Sequence, residues 1–207
     1  MSRTNNYEIS KDNARKLFLD WDQAHIIERC GLRADEEYLY IDFLGQPFRI
    51  LRATGEAENL ALGRAANFEE ALSIYDYLCR RDPLPGMSGA GRSINSLKHV
   101  AQSNPSPVSY HQKWAIRYQE HTSALERVLS ELGSPFPKGD IACVFPIFPG
   151  FDAVFQFWEG DDEFPPAIHF LWDENAPDYL YYETLYYVMG CFLDLLDRRV
   201  AELEKND

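Results

Sequence analysis

The sequence lacks any run of about 20 apolar residues, which is the length that a membrane-spanning helix requires. Its first six residues are mostly polar and lack the apolar segment of a signal peptide. We therefore expect a cytoplasmic protein that does not bind membranes.

Cysteine pairs at close spacing are also missing. The four cysteines lie about fifty to sixty positions apart, without any C-x-x-C motif, at Cys30, Cys79, Cys143 and Cys191. This spacing excludes a locally encoded zinc or iron–sulfur site and a redox dithiol. Each cysteine has apolar neighbours, so we expect reduced thiols that pack as small core residues, without disulfides.

Basic residues are absent from residues 139–197, although this segment contains twelve acidic residues. The rest of the chain carries 21 acids and 20 bases, so the segment holds nearly all of the net charge of −13. Such a surface repels phosphate groups, which argues against nucleic-acid or anionic-membrane partners. It attracts metal cations, amines or a basic protein partner. The sequence does not indicate an oligomeric state.

Length and periodicity predict one α+β domain over residues 1–207, with 45% hydrophobic residues to form its core. Helical spacing of apolar residues predicts helices over 9–20, 22–31, 67–79, 109–133 and 185–203. Aromatic and β-branched runs predict strands over 38–43, 48–52, 140–145, 153–158 and 167–172. Prolines and glycines predict an irregular loop over 82–108. We expect a mostly antiparallel sheet of about five strands, packed by N-terminal, central and long C-terminal helices. His121 falls on an apolar helix stripe and is predicted to be buried.

The turn at residues 159–166 is the strongest candidate for a functional site, because it holds four carboxylates within five residues. At an effective dielectric near 20, two unit charges about 4 Å apart repel by roughly 4 kcal/mol, but by only about 1 kcal/mol in water. A solvated turn therefore accounts for the cluster without a ligand. Alternatively, the carboxylates hold a divalent cation such as Mg²⁺, Mn²⁺ or Ca²⁺. The candidate metal ligands are Asp161, Asp162, Glu163 and His169. Asp173 lies about 13 Å from His169 along a strand, too far to share one ion.

Aromatic residues accompany this charge, since fifteen of the 29 aromatics lie in residues 139–197. Core packing explains most of them, but rings beside carboxylates also form cages for organic cations. The adjacent pairs Tyr181-Tyr182 and Tyr186-Tyr187 diverge by about 100° on a helix, so one of each pair leaves the core-facing stripe. We expect these four tyrosines to line a groove. The candidate ligand-binding residues are Trp158, Glu159, Asp161, Asp162, Glu163, Trp172, Tyr182 and Glu183.

Residues 86–93 form a glycine-rich segment of the kind that cradles anions with backbone N–H groups. The segment lacks the Lys-Ser/Thr ending of a P-loop and the glycine order of a dinucleotide fingerprint. No G-x-S-x-G motif and no local cysteine signature indicate a nucleophile.

Several short motifs give the chain a family resemblance over nearly its whole length. They are Asn6-Tyr7-Glu8, Leu19-Asp20, Phe43-Leu44-Gly45, Leu72-Ser73-Ile74-Tyr75-Asp76-Tyr77-Leu78, Met87-Ser88-Gly89, Ile94-Asn95-Ser96-Leu97, Leu132-Gly133, Phe155-Gln156-Phe157-Trp158-Glu159-Gly160-Asp161-Asp162-Glu163-Phe164-Pro165-Pro166, Leu171-Trp172-Asp173-Glu174-Asn175 and Tyr182-Glu183-Thr184. With these motifs the chain resembles the prokaryotic family known as domain of unknown function 3786. The resemblance implies a single-domain protein typical of anaerobes, some of whose relatives carry cysteine-rich segments suited to iron–sulfur clusters. This chain has no such segment, and the resemblance implies no activity.

Taken together, the residues favour a binding or accessory protein whose acidic and aromatic surface takes a cationic ligand or a basic partner. The alternative is a metal-dependent enzyme that uses the carboxylates of residues 159–163, so catalysis is left open.

Overall fold

The computed structural model describes residues 6–80, 86–97 and 108–205. The chain forms two compact units, which comprise Met1–Gly86 with Pro177–Val188, and Met87–Ala176 with Met189–Asp207. A division into compact units is not in itself a division into domains, so the single domain stays a prediction. Within the described ranges, no helix is both long and apolar enough to cross a membrane.

The first unit contains a five-stranded antiparallel sheet in the order β1-β2-β3-β4-β5. The strands are β1 (Arg33–Ala34), β2 (Tyr38–Phe43), β3 (Gln46–Leu51), β4 (Ala57–Asn59) and β5 (Arg64–Ala65). The helices of this unit are α1 (Asn6–Asp20), α2 (Gln23–Cys30) and α3 (Phe68–Leu78). Most of the short helix α6 (Ala176–Tyr179) and the first turns of the long helix α7 (Tyr182–Glu204) also belong to it.

The β2–β3 hairpin closes through a tight turn at Leu44 and Gly45, whose φ angles are 53° and 69°. Two consecutive residues with positive φ are the signature of a type I′ turn, which matches the twist of the flanking strands. The register places Leu39 opposite Ile50, and both side chains are fully buried. The strands predicted over 38–43 and 48–52 therefore pair as a hairpin, with alternate residues facing the core.

The helix ends predicted from the sequence are confirmed in the first unit. Asp22 caps the start of α2 by accepting the Ala24 N–H, and Gly31 ends that helix in the left-handed conformation. At the start of α3, Asn67 and Glu70 form a complete capping box. These bonds satisfy N–H groups that lack partners within the helix.

The second unit contains another antiparallel five-stranded sheet, in the order β6-β10-β9-β8-β7. The strands are β6 (Gly91–Ser93), β7 (Ser134–Pro135), β8 (Ile141–Phe148), β9 (Phe151–Trp158) and β10 (Ala167–Asp173). The helices are α4 (Val108–Gln119), α5 (Thr122–Leu132) and the remainder of α7. Phenylalanine rings fill the core: Phe145 stacks on Phe192 of α7 at 3.8 Å, and Phe170 meets both edge-on.

The α+β class, the antiparallel strands and the long C-terminal helix are confirmed, but the strands form two sheets rather than one. The additional strands are two or three residues long, which is too short to show a periodic pattern. The predicted helix over 109–133 is two helices, and His121 lies in the break between them. The prediction that His121 is buried is wrong: its side chain is half-exposed, with Nδ1 2.6 Å from Glu204.

The predicted loop over 82–108 contains β6 and a 3₁₀ turn at Ile94–Ser96, while residues 82–85 and 98–107 lie outside the described residues. The four cysteines are free thiols, of which Cys143 and Cys191 are buried and the other two half-buried. Burial raises the pKa of the Cys79 and Cys143 thiols to about 12, which keeps both protonated and unreactive at neutral pH.

Gly133, which ends α5, is expected to tolerate no side chain. A Cβ atom at this position would lie 2.0 Å from the backbone oxygen of Val144 on β8. We expect Gly133→Ala to lower the free energy of unfolding by about 3 kcal/mol or more, measured by urea denaturation. The control is Gly86→Ala, whose added methyl group would meet no atom within 4 Å. Equal stability of the two variants would contradict the close approach.

Candidate functional site

The acidic turn at residues 159–166 connects β9 to β10 and is held by its own carboxylate. Asp161 Oδ1 accepts the N–H groups of Glu163 and Phe164 at 2.8 and 2.7 Å, and the Asp161 N–H bonds back to the Phe164 carbonyl. The bonds from Phe164 and Glu163 hold the pKa of Asp161 below its usual range. One of the four carboxylates therefore shapes the turn itself.

The predicted metal ligands do not form a ligand set. Asp161, Asp162, Glu163 and His169 are all exposed. Within residues 6–80, 86–97 and 108–205, no group of three or more His, Cys, Asp or Glu side chains is placed to hold a metal ion. His169 pairs with Gln156 in a regular register, so β10 has no bulge that would bring His169 towards Asp173.

The aromatic residues predicted for the same surface differ in exposure. Trp158 is 40% exposed and Phe164 67% exposed, and in the chain Trp158 directly precedes the exposed Glu159 while Phe164 directly follows the exposed Glu163. Trp172, which the sequence placed on this surface, is fully buried because alternate residues of β10 face the core. The turn therefore presents apolar rings and negative charge together, while Trp172 is a core residue.

The glycine-rich segment cradles an anion from its own chain. Asp173, which is 5% exposed, accepts the Ser88 hydroxyl and the Gly89 N–H through Oδ2 at 3.0 and 2.8 Å. Its Oδ1 accepts the Asn175 N–H at 2.9 Å. Burial raises the pKa of Asp173, but these hydrogen bonds outweigh it and hold the pKa below its usual value. Two motifs about 85 positions apart thus form one hydrogen-bonded structure, which we call the Asp173 clasp.

The first unit contains a cavity of about 250 Å³ that combines aromatic rings with carboxylates. We call it the tyrosine cavity. It is lined from α1 by Ser10, Ala14 and Leu17, from α3 by Leu72, Tyr75, Asp76 and Cys79, and from the start of α7 by Tyr181, Glu183, Thr184 and Tyr187. Because an open apolar concavity with a few polar groups is the usual form of a ligand site, it is a candidate binding site.

Asp76 is the central polar group of the tyrosine cavity. Its Oδ2 accepts the Tyr181 N–H at 2.7 Å, and the Thr184 side chain also bonds to it. Burial raises the pKa of Asp76, against the opposing effect of these bonds and of Arg80. The Asp76 carboxylate therefore accepts an N–H at the start of α7 and has lost part of its hydration.

Tyr181 carries a cation on its ring. The guanidinium carbon of Arg80 lies 3.6 Å from the centre of that ring, and the same guanidinium donates to the Pro177 carbonyl at 2.8 Å. At this distance the cation–π interaction is close to its optimum. The Tyr181 ring is therefore already in cation–π contact with a charged group of the protein itself, the guanidinium of Arg80.

Two of the four tyrosines predicted to line a groove lie around this cavity. Tyr181 and Tyr187 line it together with Glu183, whereas Tyr182 and Tyr186 bond to each other through their hydroxyls at 2.8 Å. Tyr182 is therefore not placed as predicted. No pattern in the sequence predicted a role for Asp76, which lies between two buried tyrosines of α3.

The Asp173 clasp is expected to stabilise the second unit. Asp173→Ala removes the acceptor of three charge-assisted bonds, so we expect the free energy of unfolding to fall by about 3 kcal/mol or more at pH 7. Because the pKa of Asp173 is lowered on folding, its contribution should persist above about pH 4 and disappear as the pH falls through that lowered pKa.

The matched control is Glu174→Gln, which removes only the half-exposed contact to Arg92 at 3.7 Å and should cost less than about 1 kcal/mol. Denaturant unfolding at several pH values measures both variants. A loss that is equal for the two, or independent of pH, would rule out the clasp.

The chain was also compared with known proteins. The family model of the domain of unknown function DUF3786 matches residues 22–194, which include most of both compact units. No curated protein and no solved structure matched the chain at a significant level. Because the matched segment covers well over half of the sequence, the chain belongs to the DUF3786 family.

Proposed function

We propose that the protein is a binding protein that takes a small organic cation in the tyrosine cavity. The observation that carries this proposal is the poorly solvated Asp76 carboxylate, whose pKa is raised by burial, beside the rings of Tyr75, Tyr181 and Tyr187. Perturbed titratable groups in a cavity are typical of functional sites.

The first argument is electrostatic. An ionised carboxylate that has lost part of its hydration is stabilised by an opposite charge within about 4–6 Å. A carboxylate offers about four lone-pair sites, and the Tyr181 N–H and the Thr184 side chain occupy two of them. The remaining capacity suits an ammonium group, which carries only donors. Glu183, exposed at the edge of the same cavity, adds a second negative charge.

The second argument concerns ligand shape. The volume of about 250 Å³ lies below the range of about 300–1,000 Å³ that suits drug-sized ligands, which favours a small amine over a peptide. Leu17, Leu72 and the tyrosine rings would contact an apolar tail. Negative charge elsewhere on the chain would raise the local concentration of cations.

A basic protein partner is a second candidate function, and the turn at residues 159–166 favours it. Trp158 and Phe164 are exposed beside the carboxylates of Glu159, Asp162 and Glu163. Exposed rings next to acidic groups complement a basic surface that carries apolar side chains.

The test compares n-butylammonium with neutral n-butanol in an NMR titration of the ¹⁵N-labelled protein. We expect n-butylammonium to shift the resonances of the residues that line the tyrosine cavity, and n-butanol to bind at least about tenfold more weakly. Asp76→Asn still accepts the Tyr181 N–H, so it should fold, but it should weaken n-butylammonium binding by about tenfold or more. As the pH falls, protonation of Asp76 should weaken n-butylammonium binding to the wild type. Because the pKa of Asp76 is raised, this loss should begin above the pH range in which aspartate usually titrates.

The matched control is Asp20→Asn, which changes an exposed carboxylate at the end of α1 and should leave the affinity unchanged. Equal affinities for n-butylammonium and n-butanol, or an Asp76→Asn variant that binds like the wild type, would refute the proposal.

A further inference from the structure

The first unit contains a second, larger cavity of about 530 Å³, which the proposed function does not use. We call it the charged cavity. It is lined from α1 by Glu8, Lys11, Asp12 and Arg15, from the sheet and its loops by Tyr38, Arg49, Leu51, Glu56, Ala57, Glu58 and Ala65, and from α3 by Tyr75. Its volume is within the range typical of small-molecule sites.

Most cations of the charged cavity are already matched within the protein. Arg49 pairs with Glu58 at 2.6 Å and lies 4.5 Å from the centre of the Tyr38 ring. Arg15 donates to the Thr54 carbonyl at 2.7 Å and pairs with Asp12 at 3.3 Å. These groups form fixed walls, because moving them would break existing bonds.

Glu8 and Lys11 differ from the other charged groups. The Lys11 ammonium donates to the neutral Ala66 carbonyl at 2.9 Å, which leaves two of its three N–H donors and its full charge available. Within the described part of the chain, the side chain of Glu8 makes no hydrogen bond or ion pair. The two residues are three positions apart on α1, so their Cβ atoms lie about 5–6 Å from one another on one wall of the cavity.

We propose that the charged cavity binds a zwitterionic dipeptide, with its free ammonium at Glu8 and its free carboxylate at Lys11. A ligand of one sign would match one of these groups and be repelled by the other. The two termini of an extended dipeptide lie roughly 7 Å apart, a span that two flexible side chains with Cβ atoms about 5–6 Å apart are able to match. The Arg49–Glu58 pair and the Tyr38 ring then face the peptide from the sheet.

The test is an NMR titration of the full chain with alanylalanine, its N-acetyl form and its C-terminal amide. We expect alanylalanine to shift resonances of residues around the charged cavity, and each blocked form to bind about tenfold or more weakly there, because each loses one charge-assisted contact. Glu8→Gln should remove the preference for a free ammonium, and Lys11→Met the preference for a free carboxylate.

Three variants act as controls. Lys11→Arg keeps a cationic donor for the Ala66 carbonyl, so it should fold and retain the preference for a free carboxylate. Lys16→Met on α1 and Glu28→Gln on α2 change exposed charges outside the cavity and should alter no affinity.

Two results would overturn the proposal: no alanylalanine binding at millimolar concentration, or equal binding of the free and blocked peptides in the charged cavity. The amide is a cation and is able to enter the tyrosine cavity as well. Asp76→Asn separates the two sites, because it should weaken n-butylammonium binding and leave alanylalanine binding unchanged. Failure at one site therefore does not count against the other.

Discussion

The tyrosine cavity depends on one hydrogen bond, in which the Asp76 carboxylate on α3 accepts the Tyr181 N–H at the start of α7. The first N–H groups of a helix have no partner within it, and negative charge near them is favourable. This bond fixes the first turn of α7 against α3 and so places Glu183 and Tyr187 around the cavity. Burial raises the pKa of the same carboxylate, which is the observation on which the proposed cation site depends.

The sequence predicted the fold well where structure is encoded locally. The cap residues Asp22 and Asn67 act on neighbouring backbone, so the helices that begin there can be read from a few letters. The short strands could not be predicted, since β1 and β6 exist only because partner strands offer them hydrogen bonds. The break at His121 was also hidden, because apolar spacing continues through it.

For the candidate sites too, the sequence was informative only where the signal is local. The segment of residues 139–197, which the sequence marks by its charge and aromatic content, includes Tyr181 and Glu183, which line the tyrosine cavity. Composition gave no sign that Asp76, about a hundred positions earlier, completes that cavity, because the contact is made by the tertiary fold. Trp172 shows the opposite case: its neighbours are acidic, but strand alternation turns its ring into the core.

The Asp173 clasp also constrains how the family can diverge. Ser88 and Gly89 donate to a carboxylate about 85 positions away, so neither partner has a local substitute if the other changes. A replacement of Asp173 leaves the Ser88 and Gly89 donors without their acceptor. A bulkier residue at position 88 or 89 leaves the buried Asp173 carboxylate without these donors. Mutations in these two segments are therefore expected to be accepted in pairs, which makes them a covarying unit in evolution.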